Sequence, residues 1–281
     1  MLTRAIIESV VERALAEDAP WGDTTVELAI PAEARIATRL VAREDGVFAG
    51  GPLLVETFRQ MDPSIEVAGL AREGDSFTAG DVLAEIAGPA RGVLTGERVA
   101  LNIVQRMSGI AALTAEFVRR VAHTDAKIAD TRKTTPGLRA LEKHAVRAGG
   151  GVNHRFSLSD AIMIKDNHLA ALGAIDAETT TAALRGLRER AGHTTSIIVE
   201  VDRLEQIAPV LAARPTGILL DNFSLTELRE GVALIGDRAV VEASGGVDLD
   251  TVGAIAETGV DVISVGRLTH GARALDLGLD A

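Results

Sequence analysis

IIVEVDRLEQIAPVLAARPTGILLDNFSLTELREGVALIGDRAVVEASGG, residues 197–246, states one pattern three times. A short apolar run ends in an acidic or small polar cluster, and enough chain for a helix comes next. The runs fall at 197–199, 218–220 and 239–241, and helices are predicted over 204–213 and 225–235. Strand and helix in alternation at this spacing mark βα units of a parallel sheet. The rhythm continues in both directions. Runs at 127–129 and 161–164 precede it, and a helical stretch at 249–258 leads to a last run at 260–265. Six such units in sequence favour a barrel over a doubly wound sheet, though spacing by itself fits both.

Every run gives way to polar residues. Asp130-Thr131-Arg132-Lys133 comes first, then Lys165-Asp166-Asn167-His168, then Glu200-Val201-Asp202. Asp221-Asn222, Glu242-Ala243-Ser244-Gly245-Gly246 and Gly266-Arg267 complete the set. In a βα barrel all of these positions gather at the carboxyl ends of the strands, the face that carries active sites. Charges scattered at random would sit at both strand ends.

The N-terminal part reads differently. Ile6, Ile7, Val10, Val11 and Leu15 have helical spacing over 3–17, and Pro20-Trp21-Gly22-Asp23 makes a turn. Strands are predicted at 36–42, 47–48, 65–68 and 82–86, then helices at 94–107 and 112–121. These describe a small mixed α/β domain joined by a helical bridge to the repeating part.

Composition limits the function. The net charge of −11 argues against a general nucleic-acid surface. No apolar run reaches the roughly 20 residues that cross a bilayer, and the N-terminus lacks a signal-peptide pattern, so a cytoplasmic location is expected. With no cysteine there is neither a disulfide nor a thiolate zinc site. Against this acidic background Arg132, Lys133, Arg139, Lys143, Arg147, Arg155 and Lys165 form a basic island with His144, His154 and His168, which suggests a pocket for a small polyanion. Lys143 and Arg147 lie on a predicted helix and are expected to be solvated; the other cations could instead pair with Asp130, Glu142 or Asp160.

Arg106, Arg132, Lys133, Arg139, Arg155 and Lys165, with His154, could ring one site. Arginine forks match carboxylates, and lysine gives phosphate a compact charge. Glu200 and Asp221 end adjacent strands and can hold Mg²⁺ together with substrate oxygens, or stabilise a cationic sugar by charge alone. Ser244-Gly245-Gly246 and Ser264-Val265-Gly266 come at the ends of the last two strands, where barrels turn backbone N–H groups towards a phosphate. No Ser-His-Asp set or activated nucleophile is present.

Asp130-Thr131-Arg132-Lys133-Thr134-Thr135-Pro136-Gly137-Leu138-Arg139 resembles the signature of the quinolinate phosphoribosyltransferase family. So does Gly149-Gly150-Gly151-Val152-Asn153-His154-Arg155, continuing to Asp160 and Lys165-Asp166-Asn167-His168. Glu97-Arg98 and Gln105-Arg106-Met107-Ser108-Gly109 resemble that family's bridging helix. The resemblance spans essentially the whole chain. It implies an N-terminal α/β sandwich domain with the bridging helix over 1–111, an open or incomplete α/β barrel of the type II phosphoribosyltransferase kind over 112–270, and a tail at 271–281 that packs on the first domain. It implies transfer of phosphoribosyl from phosphoribosyl pyrophosphate to quinolinate with decarboxylation and Mg²⁺ as cofactor, in a homodimer that binds neither nucleic acid nor membrane. Arg132, His154, Arg155 and Lys165 would hold the quinolinate carboxylates, with Arg106 supplied by the partner subunit. Lys133, Glu200 and Asp221 would be catalytic, Lys133 facing pyrophosphate and the two acids facing ribose and metal. Ser244, Gly245, Gly246, Ser264, Gly266 and His270 would hold the 5-phosphate. The rivals are a molybdenum-linked relative with another acceptor, a nicotinate-using transferase and a non-catalytic anion-binding protein.

Overall fold

Thr3 starts the first helix: its hydroxyl accepts the Ile6 amide at 3.4 Å, one of the donors a helix start leaves over. The computed structural model describes residues 2–281. Helix α1 (Arg4–Asp18) is followed by α2 (Thr24–Ala29), capped by the Asp23 carboxylate at 3.0 Å from the Val26 amide. Next come β1 (Arg35–Ala42), β2 (Gly46–Val47), α3 (Gly51–Met61), β3 (Glu66–Ala68), β4 (Ser76–Phe77), β5 (Val82–Pro89) and the long α4 (Ala90–Val121). The expected pair of bridging helices is this one helix. Gly109 sits inside it because a Cβ there would meet the Arg273 carbonyl oxygen at 1.9 Å, so the glycine serves close packing and no break. Helix α3 is not legible in the sequence. Gly50-Gly51-Pro52 reads as a turn, yet proline suits a helical first turn and Glu73 accepts the Gly50 and Gly51 amides at 2.9 and 2.8 Å.

The repeating part consists of β6 (Lys127–Ala129), α5 (Arg139–Ala148), β7 (Ile162–Ile164), α6 (Asp166–Ala171), α7 (Ala177–Arg190), β8 (Ile197–Val201), α8 (Ile207–Ala212), β9 (Gly217–Asp221), α9 (Leu225–Ile235), β10 (Val240–Ser244), α10 (Val252–Ala256), β11 (Val262–Ser264), α11 (Arg267–His270) and β12 (Leu277–Asp280). The first six strands of this part form one parallel sheet in the order β6-β11-β10-β9-β8-β7. From β7 to β11 each strand lies beside its chain neighbour, and β6 joins at β11. A doubly wound sheet would reverse direction at a switch point, so this is barrel order. The ring is open between β6 and β7, where Val152 makes a single bridge to Ala129.

Two compact units divide the chain. The first holds the residues up to 115, 133–150 and 268–281; the second holds 116–132 and 151–267. The expected boundaries put all of 112–270 together, whereas α5 and residues 268–270 cluster with the first unit. That unit is built on the antiparallel sheet β12-β1-β5-β3, with Leu40, Phe48, Phe58, Ile86, Leu101 and Val104 at its core. The second unit is the open parallel barrel. Central β9 is buried along Gly217–Leu220, as a strand covered on both faces must be, and α9 begins at a reciprocal Ser224/Glu227 cap.

Candidate active site

Parallel register places the barrel residues on rungs, because side chains alternate faces with period two. Ile198, Gly217 and Val240 share the lowest rung. Glu200, Leu219, Glu242 and Val262 share the next, and Asp221, Ser244, Ser264 and Ala129 the one above. Ile198, Gly217, Val240, Glu242, Val262 and Ala129 all line one cavity of about 360 Å³ inside the barrel. The other residues of these rungs therefore share the inward phase, and Glu200, Asp221, Ser244 and Ser264 are among them.

Asp130 fastens the two longest motifs of the sequence to each other. It is fully buried and accepts the Asn153 side-chain amide at 2.6 Å and the His154 backbone amide at 2.9 Å. Val152 donates to Ile128 at 2.8 Å and accepts from Asp130 at 3.2 Å, so the Asn153-His154-Arg155 strip fills the open edge beside β6. The Arg155 guanidinium donates to the Ala161 carbonyl at 2.9 Å. Burial, and then the Arg132 guanidinium beside it, push Arg155 below the usual arginine range. Arg132 is exposed. The His154 ring accepts the Arg155 amide at Nδ1, 2.7 Å away, and turns Nε2 to Glu242 at 3.4 Å.

Lys165 and Glu200 were assigned to different ligands by the resemblance, and here they form an ion pair. Asp221 stands one rung above Glu200 on the next strand, with the Asn222 amide donating to it at 2.9 Å. Asn222 has φ of 59° and packs under Gly245, where a Cβ would come within 2.2 Å of Oδ1. Gly245 and Gly246 both have positive φ, 95° and 62°, so the turn after β10 requires glycine. Ser264 is buried and its hydroxyl points to the Ala243 carbonyl at 3.5 Å, a weak contact.

The remaining expected residues lie in the first unit. The Thr269 hydroxyl donates to the Lys133 carbonyl at 2.6 Å, joining the exposed Lys133 to the short helix that ends in exposed His270. Arg106, expected to reach a partner subunit, has acceptors within its own chain: it donates to the Ala272 carbonyl at 2.6 Å, to Glu142 at 2.9 Å and to the Thr269 carbonyl. Glu142, 1% exposed, also accepts the Thr135 amide and hydroxyl at 3.0 and 2.8 Å. Arg139 donates to the Thr134 hydroxyl at 2.9 Å. Lys143, expected in solvent, is 2% exposed, while Arg147 is exposed as expected. On the same bridging helix Arg98 is exposed and has no hydrogen bond or ion pair among the described residues. The sequence offered Asp130 and Glu142 as partners of the cations, and Glu142 is one, for Arg106. It did not show that Asp130 fastens the strip 152–155, or that Glu242 faces His154. Both are acids inside long motifs whose cations and glycines carry the stronger chemical signal.

No three of the described His, Asp and Glu residues converge on a point that could take a metal. Glu200 and Asp221 are hard oxygen donors on neighbouring strands, which suits Mg²⁺ when substrate oxygens and water supply its other ligands. No helix of the described residues is long and apolar enough to cross a membrane.

Comparison with known proteins shows the family and the fold. Family models described as the quinolinate phosphoribosyl transferase N-terminal and C-terminal domains match residues 23–108 and 110–280. A nicotinate-nucleotide pyrophosphorylase [carboxylating] of Mycobacterium leprae is 44% identical over 277 residues, covering 96% of this chain and 95% of that protein. A quinolinate phosphoribosyltransferase [decarboxylating] of Nicotiana tabacum is 40% identical over 287 residues, covering 97% of this chain and 81% of its own length. Among solved structures, NadC from Streptococcus pyogenes superposes with a TM-score of 0.94 at 38% identity, covering 100% of this chain and 98% of the other.

Proposed function

The chain belongs to the quinolinate phosphoribosyltransferase family, and from that premise we propose that it transfers phosphoribosyl from phosphoribosyl pyrophosphate to quinolinate. The products are nicotinate mononucleotide, carbon dioxide and pyrophosphate, a step of NAD biosynthesis. One observation carries the acceptor assignment: Asp130 fastens the strip that ends in His154 and Arg155 to the end of β6 that leads into Arg132, so both arginines belong to one edge of the barrel. A guanidinium fork fits a carboxylate, and a dicarboxylate offers two.

The chemistry asks mainly for positioning and charge. As the C1–O bond to pyrophosphate breaks, the electron pair leaves with pyrophosphate and positive charge develops on the ribose. Glu200 and Asp221, on the inward phase of β8 and β9, stabilise that charge and hold the ribose hydroxyls; they would also hold Mg²⁺, which supplies neutralisation of the pyrophosphate charge. Lys133 offsets the leaving group. The pyridine nitrogen bonds to C1, and the pyridinium so formed accepts the electron pair when the neighbouring carboxylate departs as carbon dioxide. A proton from solvent replaces it on carbon. Arg132, Arg155 and His154 hold the acceptor, and Lys165 completes that ring once it shares its charge between Glu200 and substrate. Ser244 with the backbone of Gly245, Gly246 and Gly266 takes the 5-phosphate, with His270 beside the path. Ser264 contributes at most its backbone, since its hydroxyl faces Ala243.

We keep the homodimer and revise its shared residue. Arg106 has three acceptors in its own chain, whereas Arg98, eight residues and about 12 Å earlier along the helix, is an exposed cation with no hydrogen bond or ion pair among the described residues. Arg98 is therefore the arginine offered to the neighbouring subunit. Purified protein supplied with phosphoribosyl pyrophosphate, Mg²⁺ and either quinolinate, nicotinate or no acceptor tests the assignment. Turnover is expected with quinolinate alone, and equal or faster use of nicotinate would overturn it.

A further inference from the structure

Glu242 is an acid where a hydrophobic residue would pack more simply. It lies in the middle of β10 with 5% exposure, between buried Val241 and Ala243, and faces the barrel interior with Val240 below it and Ser244 above. Its Oε1 has no hydrogen-bond donor among the described residues, and its Oε2 lies 3.4 Å from His154 Nε2. Replacing a buried charge by apolar atoms usually preserves or raises stability, so a carboxylate held here points to a task other than folding.

We infer that Glu242 is a positioning residue that acts through His154, holding the ring in the orientation that meets the acceptor; this rests on the quinolinate reading above. The ring geometry supports it. Nδ1 accepts the Arg155 amide, so the proton of the neutral ring belongs on Nε2, the atom that faces Glu242. The contact is long for a hydrogen bond, and the ring N–H meets the carboxylate by charge and dipole. Asp130 holds the His154 backbone from the end of β6, so the backbone is fixed from one side and the ring faces Glu242 on the other. Without Glu242 nothing on β10 would hold Nε2, and the ring could turn away from the acceptor.

Glu242→Gln keeps the shape and removes the charge. In this variant KM for quinolinate should rise about tenfold with kcat changed less than about threefold, as loss of uniform binding requires. KM for phosphoribosyl pyrophosphate should stay near the wild-type value. A purely structural defect would damage both substrates alike. Combined with His154→Gln, Glu242→Gln should add almost nothing, because both changes act on one group. Additive losses, or equal damage to both substrates, would overturn the inference. If Glu242→Gln does not fold, Glu242→Asp decides instead: the carboxylate withdraws from the ring, so KM for quinolinate should again rise with kcat changed far less, and an unchanged KM for quinolinate would overturn it. Wild-type protein that fails to use quinolinate would instead sink the reading underneath.

Discussion

Two glutamates occupy the same rung of one sheet, one on each side of Leu219, about 10 Å apart across two strand spacings. Glu200 pairs with Lys165, and the two side chains are 18% and 43% exposed. Glu242 faces His154, and there the values are 7% and 10%. Height on the strand is the same, and so is the side-chain phase; what differs is the cover. The strip 152–155, fastened by Asp130 at the open edge of the barrel, brings His154 over Glu242 and leaves Glu200 towards the rim. A rim carboxylate can exchange its lysine for substrate as charge develops, while an enclosed one can only orient its neighbour. On the reading proposed above, one rung holds a group that acts on the reaction and a group that positions the acceptor's histidine.

The largest effect should come from the rim. Glu200→Gln and Asp221→Ala should each lower kcat by about 10²–10³, the usual loss when a charge aimed at the transition state is removed, with quinolinate affinity changed far less. Direct titration of quinolinate beside steady-state kinetics checks this. A variant with near-normal kcat and lost quinolinate binding would place Glu200 with the acceptor and erase the contrast with Glu242, whose replacement should act mainly on KM.

The subunit partition comes next. Arg98→Ala and Lys165→Ala homodimers should each be nearly inactive. Refolded together in equal amounts, they should recover roughly a quarter of wild-type activity, because half the dimers are mixed and each mixed dimer has one intact site. Arg106→Ala should behave differently. It strips a donor from buried Glu142 and from two carbonyls, which should lower stability by about 2 kcal/mol and Tm by about 5 °C, with no recovery on mixing that exceeds its own activity. Recovery with Arg106→Ala and none with Arg98→Ala would restore Arg106 as the shared residue.

The smallest effect belongs to the first unit's C-terminal clasp. Hydrogen bonds from Arg273 and then from the Asp276 amide hold Glu44 down to about 2. A depressed carboxyl stabilises the fold above its ordinary value near 4.5, and that contribution disappears as pH falls towards 2. Arg273 is 69% exposed, so solvent screens most of it. Glu44→Gln should lower Tm by about a degree or two at pH 7, and the gap to wild type should close between pH 4.5 and 2. A gap of the same size at pH 2 would mean that packing, not charge, is involved.

The repeating half was legible because each strand is a short apolar run ending in chemistry. The runs at 127–129, 161–164, 197–199 and 218–220 fall on strands, and the polar ends fall on one rim. Strand order was not legible, since spacing says nothing about which strands pair. Helix α3 and the short strands were hidden by glycine and proline, which read as turns until their neighbours are known. The site residues were recognisable as cations and acids, but their partners depended on side-chain direction. Arg106 looks like a free cation in the sequence and is held by carbonyls in the fold; Lys143 looks solvated and is buried. Glu242 could be told from Glu200 only after strip 152–155 was placed.

Quinolinate labelled with ¹⁴C in the carboxylate next to the ring nitrogen tests the central claim most directly. Incubated with the protein, phosphoribosyl pyrophosphate and Mg²⁺, it should release all consumed label as carbon dioxide, in equal amount to the unlabelled nicotinate mononucleotide and the pyrophosphate formed. Label retained in the nucleotide, or pyrophosphate released without carbon dioxide, would contradict the account.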